Sequence, residues 1–394
     1  MKPARPGRPG RSWAPAGTAA LAWAGLAAVM ALAGCASAAP LRARAASAAL
    51  HRASAPALHV SGNSLVSADG TRVVLRGVDR SGTEFECVQG RGIFNGPSDQ
   101  ASITAMRAWD ISAVRVPLNE ACWNGDSYVA AAYAGPSYRH AIEAYVSLLN
   151  SSGLVAVLDL HWTDGSYTGS GAGCHSALAV CQKPMPDVSA IRFWRSVAGA
   201  FKGDDAVIFD LFNEPYPEIA DHGNETEGWR CWLHGGRCAG IGYRVAGMQS
   251  LVDAVRSTGA DNVIMLGGLA WANDLTGWLS YQPADPDHDL IASWHSYNFN
   301  ACHVRSCWAS QVARVIARVP VIAGEIGDRG CRGAYIEDVA AWLDSQSSGY
   351  LAWSWDVARR SCPGGSGLIS SYDGTPTPRG AAYRALLRSL PAPA

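Results

Sequence analysis

The stretch Val207-Ile208-Phe209-Asp210-Leu211-Phe212-Asn213-Glu214-Pro215 decides the fold. An apolar run of strand length ends on an amide, a carboxylate and a proline. Buried without a partner, a carboxylate there costs several kcal/mol. The pattern suits a strand that delivers polar groups to an open mouth. A second run, Val319-Pro320-Val321-Ile322-Ala323-Gly324-Glu325, ends the same way.

Outward from these two, short apolar runs recur at 73–78, 113–117, 154–161, 206–213, 262–269, 290–297, 319–325 and 349–355. Stretches of helical period lie between them at 98–109, 136–150, 187–201, 242–258 and 335–346. The connection 270–289 holds a short helix at best. Eight strand-then-helix units predict an α/β fold, a (β/α)8 TIM barrel. A doubly wound open sheet is the alternative. No glycine-rich phosphate loop follows a strand, which argues against a nucleotide fold. Residues 59–66 and 71–78 flank Ala68-Asp69-Gly70 and predict a short N-terminal β-hairpin that leads into the first barrel strand.

The 394 residues are 48% apolar and only 16% charged. The formal charge of -1 hides an asymmetry. Residues 1–55 carry seven bases and no acid, which leaves 25 bases against 33 acids in the rest. A body with Lys183 and Lys202 as its only lysines offers no basic face to nucleic acid. Fifteen tryptophans suit sugar stacking, although core packing is the ordinary use of any one of them.

The N-terminus reads as an export signal. Basic residues from Lys2 to Arg11 precede an apolar stretch and then small residues. Leu32-Ala33-Gly34-Cys35 looks like a bacterial lipobox, with Cys35 the lipidated residue after cleavage. Cleavage after Ala36-Ser37-Ala38 and an uncleaved anchor are the alternatives. The domain plan is thus 1–35 signal peptide, 36–56 disordered Ala/Ser/Pro/Arg linker and 57–390 catalytic barrel. The protein is expected to be exported, extracellular or tethered to the cell envelope, and monomeric.

In a barrel of this kind the active residues sit at the C-terminal strand ends. Those ends carry Arg115, His161, Asn213 with Glu214, His295 with Tyr297, Glu325 and Trp355. On Leu75-Arg76-Gly77-Val78, Arg115-Val116-Pro117, Asp159-Leu160-His161-Trp162, Phe212-Asn213-Glu214-Pro215, His295-Ser296-Tyr297, Gly324-Glu325 and Ala352-Trp353-Ser354-Trp355, the chain resembles glycoside hydrolase family 5. These are the cellulase-like retaining glycosidases of clan A. The motifs span about 58–386.

The resemblance implies Glu214 as acid/base and Glu325 as nucleophile. A retaining glycosidase needs such a pair about 5–5.5 Å apart. Arg115 and Tyr297 are expected to donate to Glu325, and Asn213 to bind the sugar 2-hydroxyl. His161 and His295 would bind or orient around the sugar, and Trp355 would stack on its ring. His295 and Tyr297 share parity, as do Trp353 and Trp355. Asp159 and Asp210 read as buried hydrogen-bond acceptors. Glu84, Glu86, Glu120, Glu218 and Glu225 read as solvated loop residues. Trp123, Trp162, Trp271 and Trp308 are candidates for outer subsites.

None of the remaining ten cysteines has zinc or redox spacing. In an exported chain they are expected to pair. All ten follow strands on the catalytic rim, so neighbours are paired as Cys87–Cys122, Cys174–Cys181, Cys231–Cys238, Cys302–Cys307 and Cys331–Cys362. The chemistry implies no metal and no organic cofactor. The expected substrate is a β-glucan polysaccharide or oligosaccharide. A β-mannanase, an exo-acting β-glucosidase, and a barrel that binds surface glycans without cleaving them are the alternatives.

Overall fold

The computed structural model describes residues 54–164, 182–358 and 367–391. The signal segment, Cys35, nearly all of the linker, Cys174, Cys181 and Cys362 lie outside the described residues.

Twelve strands are described. The hairpin β1 (Leu58–Ser61) and β2 (Ser64–Ser67) comes first. The barrel strands are β3 (Arg76–Asp79), β4 (Ala113–Asn119), β5 (Val155–Trp162), β6 (Val207–Asp210), β9 (Ile264–Gly267), β10 (Leu290–Tyr297), β11 (Val321–Gly327) and β12 (Gly349–Ala352). They follow one another around a closed barrel, all neighbours parallel, with β12 pairing back onto β3. A two-stranded ribbon, β7 (Gly235–Arg237) and β8 (Arg244–Ala246), stands outside it.

Near-continuous apolar runs make these strands because both faces are covered. Inward residues at the lower end, among them Val155, Val157, Ile208, Met265 and Ile291, form one apolar plug with Leu58 and Leu65 of the hairpin. The hairpin therefore closes the bottom of the barrel, leaving the strands' C-terminal ends as the open end. Each buried leucine contributes about 1.5–3 kcal/mol.

Helices pack on the outside through apolar stripes. In Ala190–Phe201, the residues Phe193, Trp194, Val197, Ala198 and Phe201 are buried. Trp194 Nε1 donates to the Leu211 carbonyl at 2.9 Å, which fixes the chain just past β6. In the last helix, Pro378–Ser389, Thr377 caps the N-terminus by accepting from the Gly380 amide, and Tyr383 Oη donates to the Gly77 carbonyl at 2.6 Å.

Two expectations need correction. The hairpin turns at Gly62-Asn63, where Gly62 has φ +60°, and not at Ala68-Asp69-Gly70. That second turn adds only one bridge, Val66 to Arg72. The helix expected over 242–258 begins at Met248, because residues 244–246 are strand β8. The ribbon lies tightly there: a Cβ on Gly247 would clash with the Gly235 amide.

Candidate active site

Barrel register sets the site. β3 aligned with β4 puts Asp79 beside Arg115, and β5 aligned with β6 puts Asp159 beside Asp210. β10 aligned with β11 puts His295 beside Glu325. Gly324 makes room for this pair, since a Cβ there would meet His295 Nε2 at 2.9 Å.

Arg115 is the hub, fully buried. Its Nε donates to Asp210 Oδ2 at 2.9 Å, and Nη1 to Asp79 Oδ1 at 3.1 Å and Glu325 Oε1 at 2.9 Å. Nη2 donates to Asn213 Oδ1 at 2.8 Å and pairs with Asp159 Oδ2 at 3.0 Å. The second oxygen of Glu325 accepts from Tyr297 Oη at 2.6 Å. Burial, and then the nearby Glu325 and Glu214, hold the Tyr297 hydroxyl protonated, as this donation requires.

Glu214 sits opposite. Asn213 and Glu214 follow one another, so a regular strand would point them apart. Glu214 instead adopts φ +51°, a left-handed conformation costing about 1–3 kcal/mol in a non-glycine residue. Both side chains thereby face the cavity. Burial pushes the Glu214 carboxyl up to about 7, against the downward pull of His161 and Arg115. His295 Nδ1 lies 3.1 Å from Glu214 Oε1 and 3.8 Å from Glu325 Oε2. Burial, assisted by Arg115, lowers His295 to about 4, so its ring is neutral at working pH. A neutral ring can donate to ionised Glu214 or accept from its protonated form.

One oxygen of Glu214, one of Glu325 and a ring nitrogen of His295 lie within 4.8 Å of one another. Retaining pairs stand about 5–5.5 Å apart. Inverting pairs stand about 6.5–9.5 Å apart.

His161 Nδ1 contacts Asp159 Oδ2 at 2.7 Å. Burial opposes charging this ring, but the Asp159 carboxylate outweighs it and pushes His161 up to about 9. The His161 ring stacks on Trp353, centroids 5.5 Å apart.

His161, Asn213, Glu214 and Glu325 line a cavity of about 740 Å³ that also takes in Trp271, Tyr297, Phe299 and Trp353. Trp355 does not reach it. Trp355 is fully buried and packs edge-on against Trp109 at 4.9 Å. β12 ends at Ala352, so strand alternation no longer applies at 353–355. Trp353 is the ring that faces the cavity. Trp123 and Trp308 are core residues, whereas Trp271 lines the cavity and Trp162 packs against Phe85.

Glu84, Glu86, Glu120 and Glu218 are buried instead of solvated. Rim segments fold over them and supply donors: Glu84 accepts from Ser81 Oγ and the Gly82 amide, and Glu218 from the Ala270 amide at 3.1 Å. Glu120, Asp164 and Asp187 form a second acidic group, occupied by the Lys183 ammonium and the Ser189 hydroxyl. Three of the expected disulfides are formed, Cys87–Cys122, Cys231–Cys238 and Cys302–Cys307. Cys331 is also disulfide-bonded, and its expected partner Cys362 lies outside the described residues.

Sequence reasoning missed Asp79 and Gln182. Asp79 carried a usable signal, a polar residue ending the first apolar run. Gln182 carried none, since it lies in a loop without period.

Residues 66–359 match the model of the family Cellulase (glycosyl hydrolase family 5). The chain belongs to glycosyl hydrolase family 5. As a member, it is a glycoside hydrolase. It is 25% identical over 348 residues to a mannan endo-1,4-beta-mannosidase of Streptomyces lividans, covering 86% of this chain and 73% of that one. It is 22% identical over 307 residues to endoglucanase N of Pectobacterium atrosepticum, covering 77% and 58%. Among solved structures, a beta-glucanase from Saccharophagus degradans aligns with TM-score 0.64 at 18% identity, over 87% of this chain and 95% of that one. A beta-mannanase from Thermomonospora fusca aligns with TM-score 0.60 at 20% identity, over 86% and 98%. These likenesses of fold leave the sugar open within the family 5 barrel.

Proposed function

We propose that this family 5 chain is a retaining β-glycosidase that cleaves a β-1,4-glucan by double displacement. The observation that carries the reading is the approach of Glu214 and Glu325 to within 4.8 Å. Glu325 carboxylate attacks the anomeric carbon while the Glu214 proton passes to the glycosidic oxygen, and the alcohol leaves. The bond to Glu325 removes its charge. Glu214, now a carboxylate, takes a proton from water as that water attacks the anomeric carbon and releases Glu325. Arg115 and Tyr297 hold Glu325 in position. Asn213 offers its amide to the 2-hydroxyl, His161 and His295 orient around the ring, and Trp353 gives the stacking face. Trp271 offers a further aromatic face on the cavity wall.

Mannan is the second reading, favoured by the match to a mannosidase over 86% of the chain. Export and lipid tethering at Cys35, with a monomeric barrel, complete the proposal. Among the described residues no helix is long and apolar enough to cross a membrane.

A product-resolved hydrolysis panel of glucans, mannans and aryl β-glycosides tests the reading. The wild type should cleave one class, and Glu325→Gln should abolish turnover while glycan binding persists. Equal inactivity of both proteins on the whole panel, with binding intact, would instead establish a binding protein.

A further inference from the structure

We infer that Gln182 is a positioning residue that orients the Asn213–Glu214 pair for the reaction; the inference rests on the acid/base reading of Glu214. Its carboxamide Nε2 donates to the carbonyls of both Asn213 and Glu214, at 2.8 Å to the latter. Two carbonyl acceptors fix which end of the Gln182 amide is nitrogen. Its Oε1 then accepts from Asn213 Nδ2 at 3.2 Å. Asn213 Oδ1 meanwhile accepts from Arg115 at 2.8 Å. A flipped Asn213 amide would set donor against donor at Arg115 and acceptor against acceptor at Gln182. The orientation is therefore doubly fixed, and the second Nδ2 hydrogen is left for the sugar.

The same contacts hold the strained turn. Glu214 at φ +51° takes its carbonyl out of regular strand geometry, and a buried carbonyl left without a donor is costly. Gln182 supplies the missing donor. Gln182 is itself anchored: Tyr216 Oη donates to its carbonyl at 2.8 Å, and Lys183 next to it pairs with Asp164 and Asp187. Gln182 and Tyr216 thus tie the rim segment before the helix Ala190–Phe201 to the chain around Glu214 at the end of β6.

The test uses Gln182→Glu and Gln182→Ala. Gln182→Glu is isosteric, keeps the acceptor for Asn213 and turns the donor into an oxygen facing two carbonyls. Each protein is assayed on a phenyl and a 2,4-dinitrophenyl β-glycoside of the sugar that the wild type cleaves. Dinitrophenolate departs without a proton, so its kcat/KM is insensitive to a displaced Glu214. We expect kcat/KM on the phenyl glycoside to fall about 10–100-fold, the size of a misplacement of about 1 Å. The loss on the dinitrophenyl glycoside should be clearly smaller, with KM little changed on both. Equal losses on the two substrates in Gln182→Glu, which keeps the Asn213 contact, or no loss in that folded variant, overturn the inference while leaving the acid/base reading intact. A wild type that cleaves no β-glycoside overturns the reading underneath it.

Discussion

Arg115 carries one positive charge and touches Asp79, Asp159, Asp210 and Glu325. Four ionised carboxylates around one guanidinium would leave a large buried negative charge, which is costly at low dielectric. Some of them therefore keep protons. Burial holds Asp79 well above its ordinary range and raises Asp210 to about 8, and each has one buried oxygen that no donor reaches among the described residues. Across the cavity Glu214 is held at about 7, and in the proposed reaction its proton is what the leaving group needs. Glu214 is protonated below that value and loses the proton above it. The kcat/KM for a glycan should therefore fall on the alkaline side with its midpoint near pH 7. That limb should appear on a phenyl β-glycoside and be absent on a 2,4-dinitrophenyl one, which pH profiles of the wild type on the two substrates would check. Asn213, Glu214 and Glu325 were legible in the sequence because polar residues closing apolar strands are rare in a core. Trp353 was not separable from Trp355, because the alternation that ranks them stops where β12 stops.

Between β9 and β10 the chain makes an unusual turn. Ala270, Trp271 and Ala272 all have positive φ, at 50°, 58° and 59°. Left-handed conformations disfavour side chains with a Cβ, so the turn needs outside support. Glu218 accepts from the Ala270 amide, and Tyr216 stacks on Trp271 with centroids 5.2 Å apart. Burial raises the Glu218 carboxyl from its ordinary 4.5 to about 7. Its folded value thus lies above its unfolded one. The stability it contributes is complete below about pH 4.5 and is lost as pH rises through about 7. Glu218→Gln keeps the acceptor and removes the titration. The variant should melt higher than the wild type at pH 8 and lose part of the wild type's decline between pH 5 and 8 in thermal scans. That the connection after β9 holds only a short helix was legible from the sequence. The burial of Glu218 was not, because a lone loop glutamate reads as solvated until the segment covering it is placed.

Over the whole molecule, the closed barrel fixes strand ends and the disulfides fix the rim above them. The barrel was the most legible feature, since eight apolar runs with helical connections admit few closures. The rim was the least legible, because loop paths follow no period. Cys87–Cys122 ties the loop after β3 to the loop after β4 across 35 residues. By loop entropy its removal should cost about 4 kcal/mol, against about 2 for the short Cys302–Cys307 loop. Denaturant melts of the paired Cys→Ser variants would rank them, and equal losses would contradict the ranking. A non-reduced digest should further yield Cys174–Cys181 and Cys331–Cys362, and a crossed pair would contradict the neighbour-pairing of the rim. The proposed reaction turns on Glu325 forming a bond to sugar. The direct measurement is mass mapping after inactivation with a 2-deoxy-2-fluoro glycoside carrying a dinitrophenolate leaving group, built on the sugar the enzyme cleaves. The expected result is one fluorosugar per chain, attached to Glu325. A label on another residue, or no label with products of inverted anomeric configuration, would contradict it.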